Sequence, residues 1–458
     1  MEKIINKRGL SSLLSFNIFF IFAPVFLFMT GCSTQTEKPV VPAHGNIKTS
    51  NKQTHNSKRS PASKKPTETK MIKEMFIGQV MDLVETDDGN ILIISNTTQN
   101  GKSGKCYPSC DDLLLTKIDP SGNEILSVTF GGEQGDSGEK IRKTSDGGFV
   151  IVGSTESYGL KTNCIQDFPC SNLWLLKIDS NGQLQWQKAY GGRYDDEGYD
   201  IMQTKDGGYL AVGKTGFMRG VAHCEDDSIP CHYSDGWILR LDNYGNFLWD
   251  RTTGGKIHDN IFSVAAALDG GFVVTGLIDD LEADGHAFIQ KYSASGKKQW
   301  LHSIILSEKN ESFDIAYAVF QTSDGGFLAA GLSWGIPKVH HGIWIRKYNS
   351  SGKFLWQKIY SIKDTNICFP QIKQTTDGGI IIGGFTDPSR MGGSQDGDYY
   401  LLKTTADGEK QWEKIWGGSD ENKINGVAQS KNGEFIIAGT SKGATRIIRI
   451  DNNGHILN

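Results

Sequence analysis

An all-β fold, a single propeller of seven four-stranded blades, is what this sequence predicts, and three observations predict it. A turn signal, Asp-Gly-Gly or a close variant, recurs at Asp88, Asp146, Asp206, Asp269, Asp324, Asp377 and Asn432, at intervals of 53 to 63 residues, and a fixed period of that length marks a repeat architecture. A basic residue on a later apolar run recurs at Lys117, Lys177, Arg240, Lys291, Lys347, Lys403 and Arg449, each followed five residues on by a glycine, from Gly122 to Gly454. Composition agrees, because 55 Gly and 10 Trp against 12 Pro suit many tight turns and large buried rings better than helices or disorder.

Each unit resolves into four strands. The first ends at the turn signal, and the second follows it as a β-rich run such as Phe149-Val150-Ile151-Val152-Gly153 or Tyr209-Leu210-Ala211-Val212-Gly213. The third is of the type Trp174-Leu175-Leu176-Lys177-Ile178-Asp179, and the fourth carries Leu126, Trp186, Trp249, Trp300, Trp356 or Trp412. Four short strands per unit make a propeller blade; a solenoid coil would be shorter and a sandwich would need more strands. The recurring rings are expected to pack between neighbouring blades. The third-strand Lys or Arg reads as structural, with its stem packed and its head at the rim. In the seventh unit the aromatic position falls on Asn458, while Met71 to Gly78 precede the first turn signal, so the N- and C-terminal segments are expected to share the closing blade.

Ahead of the domain at 71–458 the chain has a different character. Lys3, Lys7 and Arg8 form a basic start, and Ile18 to Met29 form an apolar run too short to span a bilayer. The sequence Met29-Thr30-Gly31-Cys32 resembles the lipobox of bacterial lipoproteins, with Met29 where Leu is usual. That resemblance implies a signal peptide over 1–31, a lipid (palmitate among its acyl chains) on Cys32 and an exported, membrane-anchored protein. Ser33 resembles residues that permit outer-membrane sorting in a diderm organism; otherwise the cell membrane is expected. Residues 32–70 are rich in Ser, Thr, Lys, Pro and Asn and read as a flexible tether. The tether carries a net +6 over 33–70 and the domain a net −12 over 71–458. An acidic domain excludes nucleic acid as a partner. The basic tether either lies on anionic headgroups or is a solvated spacer.

The blades resemble a repeat widespread in secreted bacterial and archaeal proteins, of the form D-G-G-[FY], W-L-x-K-x-D-x-x-G and W-x-K-x-[YW]-G-G, whose ending appears in Tyr190-Gly191-Gly192 and Trp416-Gly417-Gly418. More distantly they are similar to quinoprotein-like propellers, which include dehydrogenases and a non-catalytic outer-membrane assembly lipoprotein. The resemblance implies architecture and leaves function open.

Eight cysteines sort into Cys32, a solitary Cys368 expected to be a buried small residue, and three close pairs, Cys106/Cys110, Cys164/Cys170 and Cys224/Cys231. In an exported protein those pairs read as disulfide staples of corresponding loops; a metal reading, with His223 and His232 beside the third pair, lacks C-x-x-C spacing. The loops joining second to third strands, at 155–172, 215–236, 277–285, 333–342 and 386–398, are long and dissimilar, so the face they share is the expected binding surface. An acid ten residues before the turn signal recurs at Asp136, Asp196, Asp259 and Asp314. These form either a carboxylate ring at the channel mouth or a set of local Asx-type turns. Asp280, Glu282 and Asp284 make half of a calcium loop, but Lys291 falls at position twelve and cannot ligate, so no cofactor is expected and calcium is the only candidate. His258, His286, His340 and His341 lie in or beside these loops without a partner acid at a recognisable spacing.

The function expected is a non-catalytic binding or scaffold module for an envelope protein or surface ligand. The alternative is a quinoprotein-like or other propeller enzyme with its site at the channel mouth, which requires a deep pocket and a strongly shifted carboxylate or His. A third reading, glycan binding, uses the loop aromatics Tyr158, Phe168, Tyr233 and Trp334.

Overall fold

The computed structural model describes residues 73–98, 111–159, 163–165, 168–218, 232–254, 258–280, 283–307, 312–336, 340–362, 365–387, 397–418, 421–441 and 444–457. The signal segment, Cys32 and the tether lie outside the described residues. Seven four-stranded antiparallel sheets follow one another along the chain, with no helix among the described residues. The innermost strands are Gln79–Glu85, Asp136–Lys143, Asp196–Gln203, Asn260–Ala266, Phe313–Gln321, Asn366–Gln374 and Asn422–Gln429, and they number the blades 1 to 7.

The ring closes as the sequence predicts, and the division of labour at the seam is unequal. Blade 7 takes three strands from the C-terminal segment and its outermost strand, Lys73–Met75, from the start of the domain, with Lys73 paired to Ile447 and Met75 to Thr445. The residues after Ile450 add no strand of their own; Ile456 turns back to bridge Ile450.

Between blades the core is made of alternating residues from facing sheets. Val150, Val152, Leu173 and Leu175 of blade 2, for example, pack on Ile201, Ala211, Trp237 and Leu239 of blade 3. Burial of such β-branched and aromatic side chains on both faces explains why the second and third strands read as almost continuous apolar runs.

Two recurring contacts set each blade against the next and fix its turns. The fourth-strand Trp186, Trp249, Trp300, Trp356 and Trp412 lie over the turn glycine of the following blade, where a Cβ added at Gly245, Gly296, Gly352, Gly408 or Gly454 would meet the ring at 2.7–3.1 Å. That glycine is thus required twice, by the space and by its left-handed φ of 74 to 85°. The second contact revises the expectation for the third-strand base. Its head is not at the rim: the side chains of Lys117, Lys177, Arg240, Lys291, Lys347 and Lys403 are 3–10% exposed, and each charged head is paired to the turn aspartate of its own blade. In blade 5 Lys347 Nζ donates to Asp324 at 2.9 Å, and Asp324 also accepts from Thr322 Oγ1 at 2.5 Å and from the N–H of Gly326 at 2.9 Å. An ammonium stripped of water needs such a fixed carboxylate, which is why base and turn signal travel together through the repeat. Blade 7, with Asn432 in the turn, uses Arg449 and Glu434 instead, at 3.3 Å.

The segments 215–236, 277–285 and 333–342 are not simple loops. The second and third strands of blades 3, 4 and 5 continue into them as hairpins, out to the pairs Met218 and His232, Asp280 and Ala283, and Ile336 and His340. Thr215, Phe217, Ile278, Trp334 and Ile336 in these segments favour extended backbone. Three adjacent blades therefore raise β-hairpins above the body on one face, opposite the face of Asp-Gly-Gly turns, and the second and third strands of blade 1 extend likewise to the pair Thr98 and Asp111.

Removing the aspartate of a clamp strands a buried cation, whereas removing the cation leaves only an exposed carboxylate. Asp324→Ala is expected to lower stability by about 1–3 kcal/mol, a figure discounted for the exposure of the carboxylate, and Lys347→Met by less; urea denaturation reads both. Hydrogen bonds from Lys347 and Thr322, opposed by a smaller effect of burial, hold Asp324 at about 2. A depressed carboxylate contributes stability above its unfolded pKa and loses it as pH falls through the folded one. Melting temperature should accordingly hold from neutral pH to about 4 and drop between about 4 and 2, a fall that Asp324→Asn should reduce.

Candidate functional site

The four aspartates proposed as a channel-mouth ring are each at most 2% exposed and are each committed to a loop. Asp136 accepts from the N–H of Gly132 at 2.6 Å, from Ser157 Oγ at 2.7 Å and from Thr155. Asp196 accepts from the N–H of Gly192 at 2.7 Å, and Asp259 from the N–H of Asp279 at 3.0 Å. Asp314 accepts from the N–H of Leu306 at 3.0 Å and from Ser312 Oγ at 2.8 Å. Of the two readings of this repeated acid, the geometry is that of the local turn: four separate loop-closing carboxylates that do not converge on the axis.

What does converge comes from a different position. Every innermost strand carries a β-bulge within its third to fifth residues, between Val80 and Asp82, Gly138 and Lys140, Gly198 and Asp200, Ile261 and Ser263, Ala316 and Ala318, Cys368 and Gln371, and Ile424 and Gly426. A bulge leaves one residue out of the ladder and re-aims its side chain. The residues so released include Glu139, Tyr199, Phe262 and Tyr317. The rings of Tyr199 and Phe262 lie 5.3 Å apart and those of Phe262 and Tyr317 5.5 Å apart, each pair tilted by 37°. They form an aromatic arc across blades 3, 4 and 5, three adjacent blades that raise hairpins. Tyr199 Oη donates to Glu197 Oε2 at 2.8 Å, and Glu197 also pairs with Lys214 Nζ at 2.9 Å.

Towards the turn face the axis is crossed by ion pairs. Lys373 of blade 6 donates to both oxygens of Asp82 of blade 1 at 2.9 and 3.2 Å. Arg142 of blade 2 bridges Asp82 at 3.1 Å and Asp200 of blade 3 at 2.7 Å. Asp200 accepts from Ser263 Oγ at 3.1 Å, and Lys140 Nζ donates to Gln371 Oε1 at 3.2 Å. Asp82, Asp200 and Ser263 also accept from the backbone N–H of Ile141, Val264 and Val319, each on the next blade. Much of this network therefore has a structural reason, the satisfaction of inner strand edges that have no neighbouring strand. Burial would raise Asp82, but the charges of Lys373, Lys140 and Arg142 outweigh it and hold Asp82 at about 2.

Glu139 stands apart from that balance. Among the described residues its half-buried carboxyl makes no hydrogen bond or ion pair. Burial, opposed by Lys140 and reinforced by Glu197 and Asp82, pushes it up to about 8. The mouth thus has an aromatic wall on blades 3 to 5, an unmatched acid on blade 2, and an ion-paired floor.

The remaining candidates are placed as follows. Among the described residues no cysteine is free. Cys170 and Cys368 are disulfide-bonded, each to a cysteine whose side chain is outside the described set. The expectation of a solitary Cys368 is thus corrected; every other cysteine lies in or before blade 3, so its bond is not a staple within its own blade. The side chains of Cys106, Cys110, Cys164, Cys224 and Cys231, of His223, His232 and Phe168, and of Asp280, Glu282 and Asp284 fall outside the described residues. Lys291 is held by Asp269, as a clamp residue and not as part of a calcium loop. No group of three or more His, Cys, Asp or Glu among the described residues could hold a metal. His258 is pulled down to about 4 by burial and by Lys214, with its ring 5.9 Å from Tyr233. Of the other loop aromatics, Tyr158 is stacked on Trp174 and donates to the carbonyl of Gly131, and Trp334 packs on Phe313. A separate cavity of about 440 Å³ lies on the turn face between blades 6 and 7, but its Lys403 is already bound by Asp377 and its Trp412 by the carbonyl of Asn452.

No protein-family model matches the chain, and no curated protein matches it. Solved structures do. A mutant puromycin hydrolase complexed with PGG is similar with a TM-score of 0.51 at 10% identity, over 83% of this chain and 53% of that one. The β-propeller domain of the trilobed protease from Pyrococcus furiosus is similar with a TM-score of 0.45 at 12% identity, over 86% and 97% of the two chains. A protein of unknown function from Bacteroides caccae gives 0.41 at 13% identity, over 72% and 96%. This chain spans about half the length of the hydrolase. At such identities the likeness shows the fold alone.

The raised carboxyl can be observed directly. Side-chain carbon NMR of Glu139 should titrate near 8, and Glu197→Gln, by removing one of the negative charges that raise it, should move the titration down towards the ordinary carboxylate range.

Proposed function

We propose that this protein is a membrane-anchored lipoprotein whose propeller is a non-catalytic binding module of the cell envelope, with its ligand or partner seated at the channel mouth on the hairpin face. One observation carries the reading: the hairpins of blades 3, 4 and 5 rise over the aromatic arc that the same blades build, Tyr199, Phe262 and Tyr317. Concave surfaces lined by aromatics with a few placed polar groups are where ligands bind. On the opposite face, by contrast, the recurring bases, turn aspartates and Trp rings are committed to clamps and blade contacts. Anchoring follows from the lipobox-like Met29-Thr30-Gly31-Cys32, and the acidic domain suits a partner that is not a nucleic acid. Loop disulfides among the paired cysteines belong to the same reading, since an exported domain retains them.

A second reading, catalysis at the mouth, is favoured by acids that burial pushes up, Glu139 and Glu156 to about 8 and Asp196 to about 6. It is the weaker of the two because neither a nucleophile paired with a base nor a metal-ligand cluster accompanies those acids among the described residues.

In-cell crosslinking and pull-down of the full chain test the reading. Wild type should capture envelope partners, and variants with the 215–236 and 277–285 hairpins shortened should lose them. Cys32→Ser should release the chain from the membrane fraction. Turnover of a small substrate with no partner captured would replace the binding module with an enzyme.

A further inference from the structure

Resting on the binding-module reading, we infer that the mouth recognises a guanidinium group, the side chain of an arginine presented by a peptide or protein partner, stacked on the Tyr199–Phe262–Tyr317 arc and paired with Glu139. Four features of the site point to this chemistry. Three rings from successive inner strands lie 5.3 and 5.5 Å apart between centroids, with Tyr199 buried and Phe262 and Tyr317 partly exposed, and a guanidinium is the planar cation that stacks on such exposed ring faces while keeping its donors at its edge. Beside the arc stands an acid that makes no ion pair of its own among the described residues, Glu139, on the strand next to that of Tyr199. The other charges near the axis are matched: Asp82 by Lys373 and Arg142, Asp200 by Arg142, and Glu197 by Lys214. An anionic ligand would therefore meet no free cation except Lys140, which is drawn across the axis to Gln371. Finally, the net −12 of the domain attracts a basic partner over distance.

The empty site holds Glu139 in its protonated form at neutral pH, because burial and the charges of Glu197 and Asp82 outweigh Lys140. Tyr199 is the other titratable group that feels Glu139, and its hydroxyl is raised by burial, by Glu197 and by Glu139. Entry of a guanidinium would displace that proton, so binding should strengthen as pH rises towards 8 and should release a proton below it.

The experiment is calorimetric titration of the full chain in detergent micelles with a tetra-arginine peptide and with its uncharged tetra-citrulline counterpart, at pH 6.5 and 8.5. The expected result is binding of the arginine peptide at least about tenfold tighter than the citrulline peptide, tighter at pH 8.5, and weakened about tenfold by Glu139→Gln. Phe262→Leu, which keeps an apolar side chain but removes the central π face, should weaken it as well. Glu133→Gln, an exposed acid outside the arc, controls for bulk charge, and melting curves establish that every variant is folded. Equal affinity for the two peptides, or equal effects of the two Glu→Gln changes, would overturn the assignment. If the arginine peptide does not bind while crosslinked envelope partners are still lost with the hairpins, the guanidinium assignment falls and the binding module stands. If neither binding nor partners are found, both fall.

Discussion

Seven strand edges face a common axis, and none of them has another strand to pair with. Backbone groups cannot be left in that position without partners, so the innermost strands are supported from the side. The carboxylates of Asp82 and Asp200 and the hydroxyl of Ser263 reach the N–H groups of the next blade, and Arg142 and Lys373 neutralise the two acids that do so. The same strands bulge once each, and the bulge is what delivers a side chain to the axis. Site and scaffold therefore have one origin: Glu139 and the aromatic arc occupy the positions that edge satisfaction leaves over.

The two faces of the disc follow from a division between repeated and unrepeated residues. On the turn face the same base, the same aspartate and the same aromatic recur blade after blade, and each is used up by an internal contact. On the hairpin face the period is broken by extensions in blades 1 and 3 to 5 and by bulge residues that change from Met81 and Glu139 to the aromatics of blades 3 to 5 and on to Asn425. Regularity here records packing, and departure from it records the place where a ligand can be told from its competitors.

That division also explains how much was legible in the sequence. Blade count, strand order, the closing blade and the packing of the Trp rings follow from spacing alone, because each repeats and each has one physical cause. The clamp was half legible: Lys177 and Asp146 recur together, but spacing does not reveal that the ammonium folds back to the turn. Asp136, Asp196, Asp259 and Asp314 stood out because they repeat, and repetition was a sign of structure; each closes its loop. Tyr199, Phe262, Tyr317 and Glu139 escaped notice because a bulge has no fixed residue type. Their signal was present as a column seven residues before the turn Asp or Asn, where Met81, Glu139, Tyr199, Phe262, Tyr317, Pro370 and Asn425 share no residue type around the whole ring but three successive members are aromatic. Cys368 was misread because pairing by sequence proximity left it over, whereas a disulfide answers to distance in space.

The seam of blade 7 gives the molecule a direction in which it can be loaded. Whatever precedes Lys73 joins the ring through a three-residue strand laid against Thr445 to Ile447. Tension arriving along the chain from that side acts first on this short ladder, before it can reach any blade built from continuous sequence. The ring is thus a clasp with its catch at the strand Lys73–Met75, and its resistance to mechanical opening from that side is set by a few backbone hydrogen bonds and the packing of Met75 and Ile77, not by the much larger core that gives the disc its stability at rest.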